Sequence, residues 1–333
     1  MKEQNYPPYI LTNIMINYIS EITRKITEID YLNLDKKPEL RKQNRINSIY
    51  SSLAIEKNPL SRKQVEDIID GKIVMGKQKD IQEVKNAYMA YERISSINPY
   101  SVEELKNTHG IMTFLIQEDN GKFRNHGEAV YNGDKMIFLA PPHNRLPELM
   151  DNLFEWMNNS KNTVHPLILS SVFHYEFVFI HPFSDGNGRM ARLWQTAILS
   201  KWNVMFEYMP IENIIKRHQQ EYYKTINECD KLGNSTIFIE FMLKIIDETI
   251  EDLLKRSKNS ENNEAESLNT TEKEALDYIY KNELVSTKEL AEYLGKADRT
   301  ARRIVSVLLK KGLITYQGRD KNDPNIRYKK MSE

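Results

Sequence analysis

The chain of 333 residues is long enough for two or three domains, and its 47 lysines and arginines balance its 47 aspartates and glutamates. A net charge of zero therefore does not indicate a polyanionic or membrane partner for the chain as a whole. The single cysteine, Cys229, excludes an internal disulfide framework and fits a reducing cytosol. Neither a secretory signal nor an apolar run of membrane-spanning length is present, so we expect a cytoplasmic protein without a membrane segment.

Apolar residues recur every three or four positions through most of the first two-thirds of the chain, which is the spacing of helices that bury one face. The first such pattern runs from Leu11 to Ile29 and follows the helix-breaking pair Pro7-Pro8. Further helical patterns cover residues 37–52, 62–69, 79–97, 102–116, 146–157, 166–179, a segment beginning near 188, 211–229 and 236–254. The spacing therefore predicts a mostly α-helical fold.

One segment has a β pattern instead. Residues 129–142 place a turn signal, Asn132-Gly133-Asp134, between two short β-prone runs, and a proline pair ends the second run. A lone two-stranded hairpin cannot form the core of a domain. We therefore predict that it is a flap on the helical domain.

The composition turns polar and loses its periodicity near residue 255, which predicts a linker over residues 256–269. Beyond it, helical patterns at 271–281, 287–294 and 298–311 precede β-prone runs at 313–317 and 326–329. Three helices followed by a hairpin are the order of a winged helix-turn-helix. The predicted organisation is an N-terminal helical region over 1–100, a central helical core with the flap over 101–255, the linker, and a winged helix over 270–333.

The segment 181–192, His-Pro-Phe-Ser-Asp-Gly-Asn-Gly-Arg-Met-Ala-Arg, has the residue types of a phosphate-binding site. Proline and glycine interrupt the helical pattern, which resumes at Gly188, so the Gly-Asn-Gly turn lies at a helix N-terminus. Free backbone N–H groups and the positive end of the helix dipole bind anions there. Arg189 and Arg192 are three residues apart, share one helix face, and can meet the same phosphate chain.

Two more side chains of this segment point to chemistry. Asp185 precedes the turn and is placed to hold Mg²⁺ beside the phosphates, since such sites use one carboxylate together with phosphate oxygens and water. His181 is the side chain of the segment that readily accepts a proton near neutral pH. Each residue alone is compatible with a buried histidine or with a solvated helix face. The whole set in this order favours a catalytic site.

The segment resembles, at every position, the signature His-x-Phe-x-Asp/Glu-Gly-Asn-Gly-Arg-x-x-Arg of the Fic family of protein adenylyltransferases. The resemblance covers most of the chain, because residues 9–70 are similar to the N-terminal region of bacterial Fic proteins and residues 121–254 to the Fic core. A C-terminal winged helix is a frequent companion in this family. The resemblance implies a helical Fic core with a β-hairpin flap, and an enzyme that transfers AMP from Mg-ATP to Ser, Thr or Tyr hydroxyls of target proteins and of itself.

The resemblance also assigns roles to the residues of the segment. His181 would be the general base that takes the proton of the target hydroxyl, Asp185 would be the Mg²⁺ ligand, and Phe183 would anchor the loop in the core. The phosphates would be held by the turn, including the Asn187 side chain, and by the two arginines: Gly186, Asn187, Gly188, Arg189 and Arg192. Doc-type toxins, which phosphorylate, carry lysine where this chain has Gly188, so the glycine favours AMP transfer.

Two other regions gain roles from the resemblance. The flap strand would pair with the backbone of the target and position its hydroxyl. Its residues are Met136, Ile137, Phe138 and Leu139. Tyr222, Tyr223 and Asp230 fall where family members line the adenine pocket, although aromatic residues at this spacing are more often part of a core.

Ser52 and Glu56 match the inhibitory motif of the family, Ser/Thr-x-x-x-Glu-Gly/Asn, whereas Lys57 stands where Gly or Asn is usual. A carboxylate paired with Arg192 would occupy the partner of the γ-phosphate and leave ATP in a geometry that prevents in-line attack. The alternative is a glutamate at the end of a surface helix that pairs with nothing. In several family members the same glutamate supports removal of AMP, so a de-AMPylase remains an alternative function.

The predicted winged helix leaves its partner open between DNA and protein. The apolar face of its third helix would be formed by Ile304, Val305, Leu308 and Leu309, and the basic residues around it are Lys296, Arg299, Arg302, Arg303, Lys310 and Lys311. Basic residues on a recognition helix suit a major groove, but Asp298 and Glu292 dilute the patch, and a protein-interaction module has the same features.

A DNA-binding regulator whose Fic core only senses nucleotide is a further alternative. The complete segment 181–192 argues against it, because a sensor does not need the base. The expected partners are ATP and a target protein with a hydroxyl side chain, with the chain acting alone or as a homodimer. The other histidines have no metal-ligand spacing, so we expect no structural zinc.

Overall fold

The computed structural model describes residues 7–31, 38–132, 135–266, 268–318 and 326–330 of the chain. Within these ranges the protein is mostly α-helical, with two separate two-stranded antiparallel sheets, which confirms the predicted fold class. The chain divides into two compact units, Met1–Glu251 and Asp252–Glu333. Among the described helices, none offers the long apolar stretch that a bilayer crossing requires.

The helices that begin in the first unit follow most of the predicted patterns. They are α1 (Asn13–Tyr31), α2 (Pro38–Ile55), α3 (Arg62–Ile69), α4 (Gln78–Tyr91), α5 (Val102–Met112), α6 (Leu146–Ser160), α7 (Pro166–Ile180), α8 (Asn187–Trp202), α9 (Ile211–Arg217), α10 (Gln219–Leu232) and α11 (Thr236–Glu266). Short 3₁₀ turns lie at Ile94–Ser96, His143–Arg145 and Val204–Tyr208.

The centre of the first unit is the pair α7 and α8. Helix α7 is apolar on nearly all sides, and a helix of that kind is stable only when other elements surround it. Helix α8 is buried at almost every position from Asn187 to Leu199, and its Trp194 packs against Phe154 and Phe173. The connection between these two helices, residues 181–186, is therefore held at both ends by helices that are buried in the core.

The predicted helix 79–97 is shorter in the structure, because α4 ends at Tyr91 and a 3₁₀ turn follows at Ile94–Ser96. The predicted helix 211–229 is divided at His218 into α9 and α10.

Two further helix ends also differ from the predicted ones. Helix α5 ends at Met112 rather than at residue 116, because Thr113 turns its hydroxyl onto the carbonyl of His109 and Leu115 adopts a left-handed backbone with φ 58°. The predicted linker begins inside α11, which continues to Glu266. Arginine, lysine, glutamate and alanine make up six of residues 256–266, and they have good helix propensity even without an apolar stripe.

The predicted flap is a hairpin of β1 (Ala129–Asn132) and β2 (Lys135–Leu139). The strands are antiparallel, with Ala129 opposite Leu139 and a register shift between Val130 and Tyr131. The tip, residues 133–134, lies outside the described residues, as do the side chains of residues 130–138. Leu139 is 65% exposed, as expected for a hairpin that is not part of the core.

The second unit contains α12 (Thr270–Lys281), α13 (Thr287–Leu294), α14 (Asp298–Lys310), β3 (Ile314–Gln317) and β4 (Arg327–Lys330). Capping boxes start α12 and α13, and Gly295 ends α13 in a left-handed conformation. The predicted apolar face of α14 packs into the core of this unit through Ile304, Val305 and Leu308. The order of three helices and an antiparallel pair of strands is the predicted winged helix.

Candidate active site

His181 ends helix α7 in a left-handed backbone conformation, with φ 51° and ψ 59°. A non-glycine residue adopts this conformation at a cost of about 1–3 kcal/mol, and such strain concentrates at functional sites. Its Nδ1 lies 3.2 Å from the carbonyl oxygen of Val178. Because a carbonyl only accepts, Nδ1 carries the proton and Nε2 is the nitrogen left to accept one. Burial lowers the pKa of His181 and so favours the neutral ring. The hydrogen bond to Val178 opposes this effect but does not outweigh it.

The loop after His181 is anchored by Phe183 and Asn187. Phe183 is fully buried, as the resemblance implied, and its ring stacks on that of His109 with centroids 3.6 Å apart. The Asn187 side chain accepts a hydrogen bond from the backbone N–H of Phe183 and donates one to its carbonyl oxygen, at 3.0 and 2.7 Å. Both ends of its amide therefore hold the loop in shape. The contact of this side chain with phosphates stays a prediction.

His109, on α5, positions the loop of residues 181–186 and was missed as a site residue at the sequence level. Its Nδ1 accepts from the backbone N–H of Gly121 at 2.9 Å, so Nε2 donates to the carbonyl oxygen of Asp185 at 2.9 Å. Burial lowers its pKa to about 4, so the ring stays neutral with this arrangement of protons at neutral pH. No spacing in the sequence signals this role, because the loop lies 72 to 76 residues further along the chain.

Asp185 has an environment that keeps it ionised. Burial raises its pKa, but Arg189, Gln117 and the backbone N–H of Gly186 together outweigh burial and lower the pKa below its ordinary value. Arg189 Nη2 lies 3.0 Å from Oδ1, and Gln117 Nε2 donates to Oδ2 at 3.1 Å. Within the described ranges no group of three or more His, Cys, Asp or Glu side chains is arranged around a common metal position. A lone, hard carboxylate of this kind suits Mg²⁺ that takes its other ligands from phosphates and water.

The two arginines of the segment are buried on α8 with unused donors. Arg189 and Arg192 are 3% and 2% exposed. Among the described residues, Nε and Nη1 of Arg189 and Nη1 of Arg192 have no hydrogen-bond partner. Buried polar groups are nearly always hydrogen bonded, so donors of this kind indicate a missing acceptor. Guanidinium groups at a helix N-terminus are suited to phosphate oxygens.

Glu56 and Ser52 occupy the other donors of Arg192. The Glu56 Oε1 atom accepts from Nη2 at 2.8 Å, while Ser52 accepts from Nε through its hydroxyl and from Nη2 through its carbonyl. The Glu56 carboxylate also lies directly over the start of α8, because a Cβ added to Gly188 would overlap it. The pair predicted from the inhibitory motif is therefore present, and it stands where the anion site was expected.

The end of α2 explains how Lys57 replaces the usual glycine or asparagine. The N–H of Asn58 bonds to the carbonyl oxygen of Leu53 and that of Lys57 to the carbonyl oxygen of Ala54, both at 3.0 Å, which is a Schellman turn with Lys57 at its left-handed position. The φ of Lys57 is 66°. Asn58 then donates from its side chain to Glu83 at 2.8 Å, and Glu83 lies 3.6 Å from Arg189. The turn after α2 thus contacts both arginines, directly or through Glu83.

Replacing Lys57 by glycine should stabilise the first unit by about 0.5–1 kcal/mol, because glycine adopts a positive φ without the steric cost that lysine bears. Urea unfolding measures this change through the fluorescence of the three tryptophans, all in the first unit: Trp156, Trp194 and Trp202. Lys57→Ala is the matched control, since it shortens the side chain and keeps the strain. Equal stabilisation by alanine and glycine would show that backbone strain is not the cause.

The residues predicted to line an adenine pocket lie in different environments on α10. Tyr222 is 2% exposed and its hydroxyl bonds to the buried His174 at 2.9 Å, so it belongs to the core and not to a pocket surface. Arg192 opposes the rise in the Tyr222 pKa that burial causes, which places this hydroxyl beside the guanidinium. Tyr223 is 42% exposed, and Asp230 accepts a hydrogen bond from Tyr175 at 2.9 Å.

Comparison with known proteins agrees with this geometry. Residues 99–199 match the model of the Fic/DOC family, and residues 268–315 match a winged helix-turn-helix DNA-binding model. Protein adenylyltransferase Fic of Culex quinquefasciatus is 28% identical over 216 residues, which are 62% of this chain and 41% of that protein. The chain therefore spans about two-fifths of the length of this curated relative. The structure of Fic-1 from C. elegans, at 22% identity and a TM-score of 0.59, covers 74% of this chain and shares its fold.

The crystal structure of a Fic family protein from Desulfovibrio desulfuricans G20 matches this chain more completely. It superposes with a TM-score of 0.72 and 34% identity, and the match covers 98% of this chain and 98% of that one. It therefore includes the N-terminal helices, the central core and the winged helix. A relative of this identity over nearly the whole length, together with the complete segment 181–192, shows that this chain belongs to the Fic family.

Proposed function

We propose that this chain is a protein adenylyltransferase that transfers AMP from Mg-ATP to hydroxyl side chains and is restrained by Glu56. The observation that carries the proposal is the set of buried guanidinium donors of Arg189 and Arg192 at the start of α8 that have no hydrogen-bond partner among the described residues, next to an imidazole whose Nδ1 is already used. The curated relatives named protein adenylyltransferase support the reaction type.

The phosphate chain would bind at the N-terminus of α8. The backbone N–H groups of Asn187 and Gly188 and the two guanidinium groups would neutralise its charge, most of all on the β- and γ-phosphates that leave as pyrophosphate. The N–H of Gly186 donates to Asp185 Oδ1 at 2.6 Å and so shapes the turn. Asp185 would hold Mg²⁺, which would supply further neutralisation of the phosphate charge. In this arrangement most of the rate comes from positioning and from neutralising charge.

His181 would act on the target hydroxyl. The hydroxyl oxygen attacks the α-phosphorus, its proton passes to Nε2 of His181, and the bond from the α-phosphorus to the bridging oxygen of pyrophosphate breaks. The hydrogen bond from Nδ1 to Val178 keeps the ring in the orientation and the tautomer in which Nε2 is the acceptor. The exposed flap would pair with the target backbone as an added strand and bring the hydroxyl to this nitrogen.

Mass spectrometry of the purified protein after incubation with Mg-ATP tests the reaction. We expect an added AMP on Ser, Thr or Tyr of the chain itself, and on a target when cell lysate is present, in the parent and more strongly in Glu56→Gly. The absence of an AMP adduct in both proteins would reject the proposal. Loss of AMP from a previously modified protein on incubation with the parent would favour the de-AMPylase, which shares every site residue. The cytoplasmic location is part of the same proposal.

We also propose that the winged helix binds duplex DNA. The predicted basic residues Lys296, Arg299, Arg302 and Arg303 are exposed around the start of α14, and this unit matches a DNA-binding model. Contacts from these residues to phosphates release counterions, so affinity should fall as salt rises, with a slope of log K against log salt of about −2 to −4. Fluorescence anisotropy with random duplex measures the slope. The Arg302→Glu/Arg303→Glu variant should flatten it, and an affinity of the parent that is independent of salt would favour a protein partner instead.

A further inference from the structure

Arg124 is a buried cation whose side chain donates hydrogen bonds to backbone carbonyl groups. It is 2% exposed. Its Nε donates to the carbonyl oxygen of His181, Nη1 to that of His126 and Nη2 to that of Pro141, each at 2.7 Å. It forms no salt bridge within the described ranges, and burial lowers its pKa. A buried guanidinium without a carboxylate is costly, so the three carbonyl groups must compensate its lost hydration.

The three carbonyl groups belong to the two parts of the site that must meet during the proposed reaction. His181 is the proposed base. His126 lies three residues before β1 and Pro141 lies two residues after β2, so they are the two ends of the flap. The backbone N–H of Arg124 adds a bond to the carbonyl oxygen of Pro182 at 2.9 Å. One residue therefore holds the catalytic loop and both ends of the hairpin together.

We propose that Arg124 is a positioning residue for AMP transfer, which fixes the distance and the orientation between the flap and His181. This inference rests on the proposed function, because it assigns the target hydroxyl to the flap and the proton transfer to His181. Arg124 itself touches neither nucleotide nor target in this scheme. It acts through the two backbone segments that it joins.

The conformation of His181 gives the inference a second basis. The positive φ of this residue is strained, and strain of this kind persists only where the surroundings hold the backbone. The bond from Arg124 Nε to the His181 carbonyl oxygen, and that from His181 N–H to the carbonyl oxygen of Phe177 at 3.0 Å, hold the two sides of the strained residue. Losing the first bond would let the peptide after His181 rotate and would turn the ring away from the flap.

The charge of Arg124 acts on the imidazole as well. It disfavours a protonated His181, whereas Glu128 and Glu56, the acidic groups that face this ring, favour one. Two substitutions separate the effect of the hydrogen bonds to the carbonyl groups from the effect of the charge. Arg124→Lys keeps the charge and cannot reach three carbonyl groups at once, while Arg124→Gln removes the charge as well.

The experiment measures auto-AMPylation rates in the Glu56→Gly background at several ATP concentrations and pH values. We expect both variants to lower kcat about 10- to 100-fold, since a displacement of about 1 Å at a reacting group has this effect, with the KM for ATP changed less than about twofold. The acid limb of the rate should move to higher pH in Arg124→Gln and stay in place in Arg124→Lys. Arg145→Gln, an exposed arginine beyond the flap, is the matched control and should leave kcat unchanged.

Unchanged kcat in both folded variants, or a KM for ATP that rises as much as kcat falls, would overturn the positioning role. If neither variant folds, the crystal structure of the Glu56→Gly protein with a non-hydrolysable ATP analogue tests the inference directly. All three carbonyl bonds should persist there, and loss of those to His126 and Pro141 would refute it. If the Glu56→Gly protein itself transfers no AMP, the proposed function fails. If it does and the Arg124 variants match it, only the inference fails.

Discussion

His181→Ala should lower the rate of AMP transfer by about 10²- to 10⁴-fold, which is the contribution of a positioned general base. Without the imidazole, the target hydroxyl must lose its proton to water while it attacks the α-phosphorus. The affinity for ATP should stay nearly unchanged, because the phosphate donors lie on α8 and on the turn before it. Quantifying the AMP adduct by mass spectrometry over time, in the Glu56→Gly background, gives the rate, and equilibrium dialysis gives the affinity.

The exposed His143, which follows the flap, provides the matched control, and His143→Ala should keep the full rate. The pH dependence of the transfer rate should also reflect the protonation of His181. Since burial lowers the pKa of His181, the neutral ring persists below the usual titration range of histidine, and the rate should fall only as the pH drops through this lowered pKa. A His181→Ala protein that modifies itself as fast as its background would exclude the imidazole as the base.

Glu56→Gly should raise auto-AMPylation by about 10- to 100-fold, because a hydrogen bond to a charged group contributes roughly 1.5–3 kcal/mol to the state that it stabilises. The carboxylate holds Nη2 of Arg192 at 2.8 Å and covers Gly188. Removing it leaves this donor to the γ-phosphate and takes a negative charge away from the anion site. Labelled ATP incorporated into the purified protein, under equal protein and Mg²⁺ concentrations, measures the change.

The Glu56→Gln variant separates the effect of the carboxylate charge on the transfer rate from the effect of the side-chain volume. The amide has nearly the same size, still covers Gly188, and can still accept from Arg192, but it does not repel a phosphate. An intermediate activity is expected for it, above the parent and below Glu56→Gly. If Glu56→Gly is no more active than the parent, the contact between Glu56 and Arg192 is structural and the restraint must lie elsewhere.

Glu83 does not replace Glu56 in this scheme, although it also meets an arginine of the site. Its contact with Arg189 is longer, at 3.6 Å, and its other oxygen accepts from Asn58. Arg189 also keeps the shorter pair with Asp185, at 3.0 Å. This pair should persist when nucleotide binds, because Asp185 would hold Mg²⁺ beside the phosphates that Arg189 contacts. The restraint is therefore expected to act mainly through Arg192.

Most helices follow directly from local patterns in the sequence. Apolar residues predicted α7 and α8, because both helices are buried in the core and need apolar side chains there. The Gly-Asn-Gly turn predicted the start of α8, because glycine and proline end the preceding helix. Prediction was weaker where composition rather than periodicity was the signal. The residues after 255 continue α11 to Glu266, since the arginine, lysine, glutamate and alanine among them favour a helix without an apolar face.

The positions of the site residues were predictable to the extent that the residues are close in sequence. Four of the site residues lie in one short segment around the start of α8, so their spacing alone brings them together: His181, Asp185, Arg189 and Arg192. Glu56 was placed correctly by a motif, although it lies 136 residues from Arg192. Its motif alone did not specify the Schellman turn that lets Lys57 take the place of glycine.

The amino-acid order was sufficient for the helical class and for the helix start at the Gly-Asn-Gly turn, because each rests on a repeating pattern or on a short segment. The pairing of Glu56 with Arg192 followed from the family motif. The roles of Asn187, His109, Arg124 and Tyr222 became visible only in the folded chain. Each of these side chains is buried, and a buried polar group is defined by the partners that enclose it. Those partners come from other helices and loops, so no local pattern encodes them.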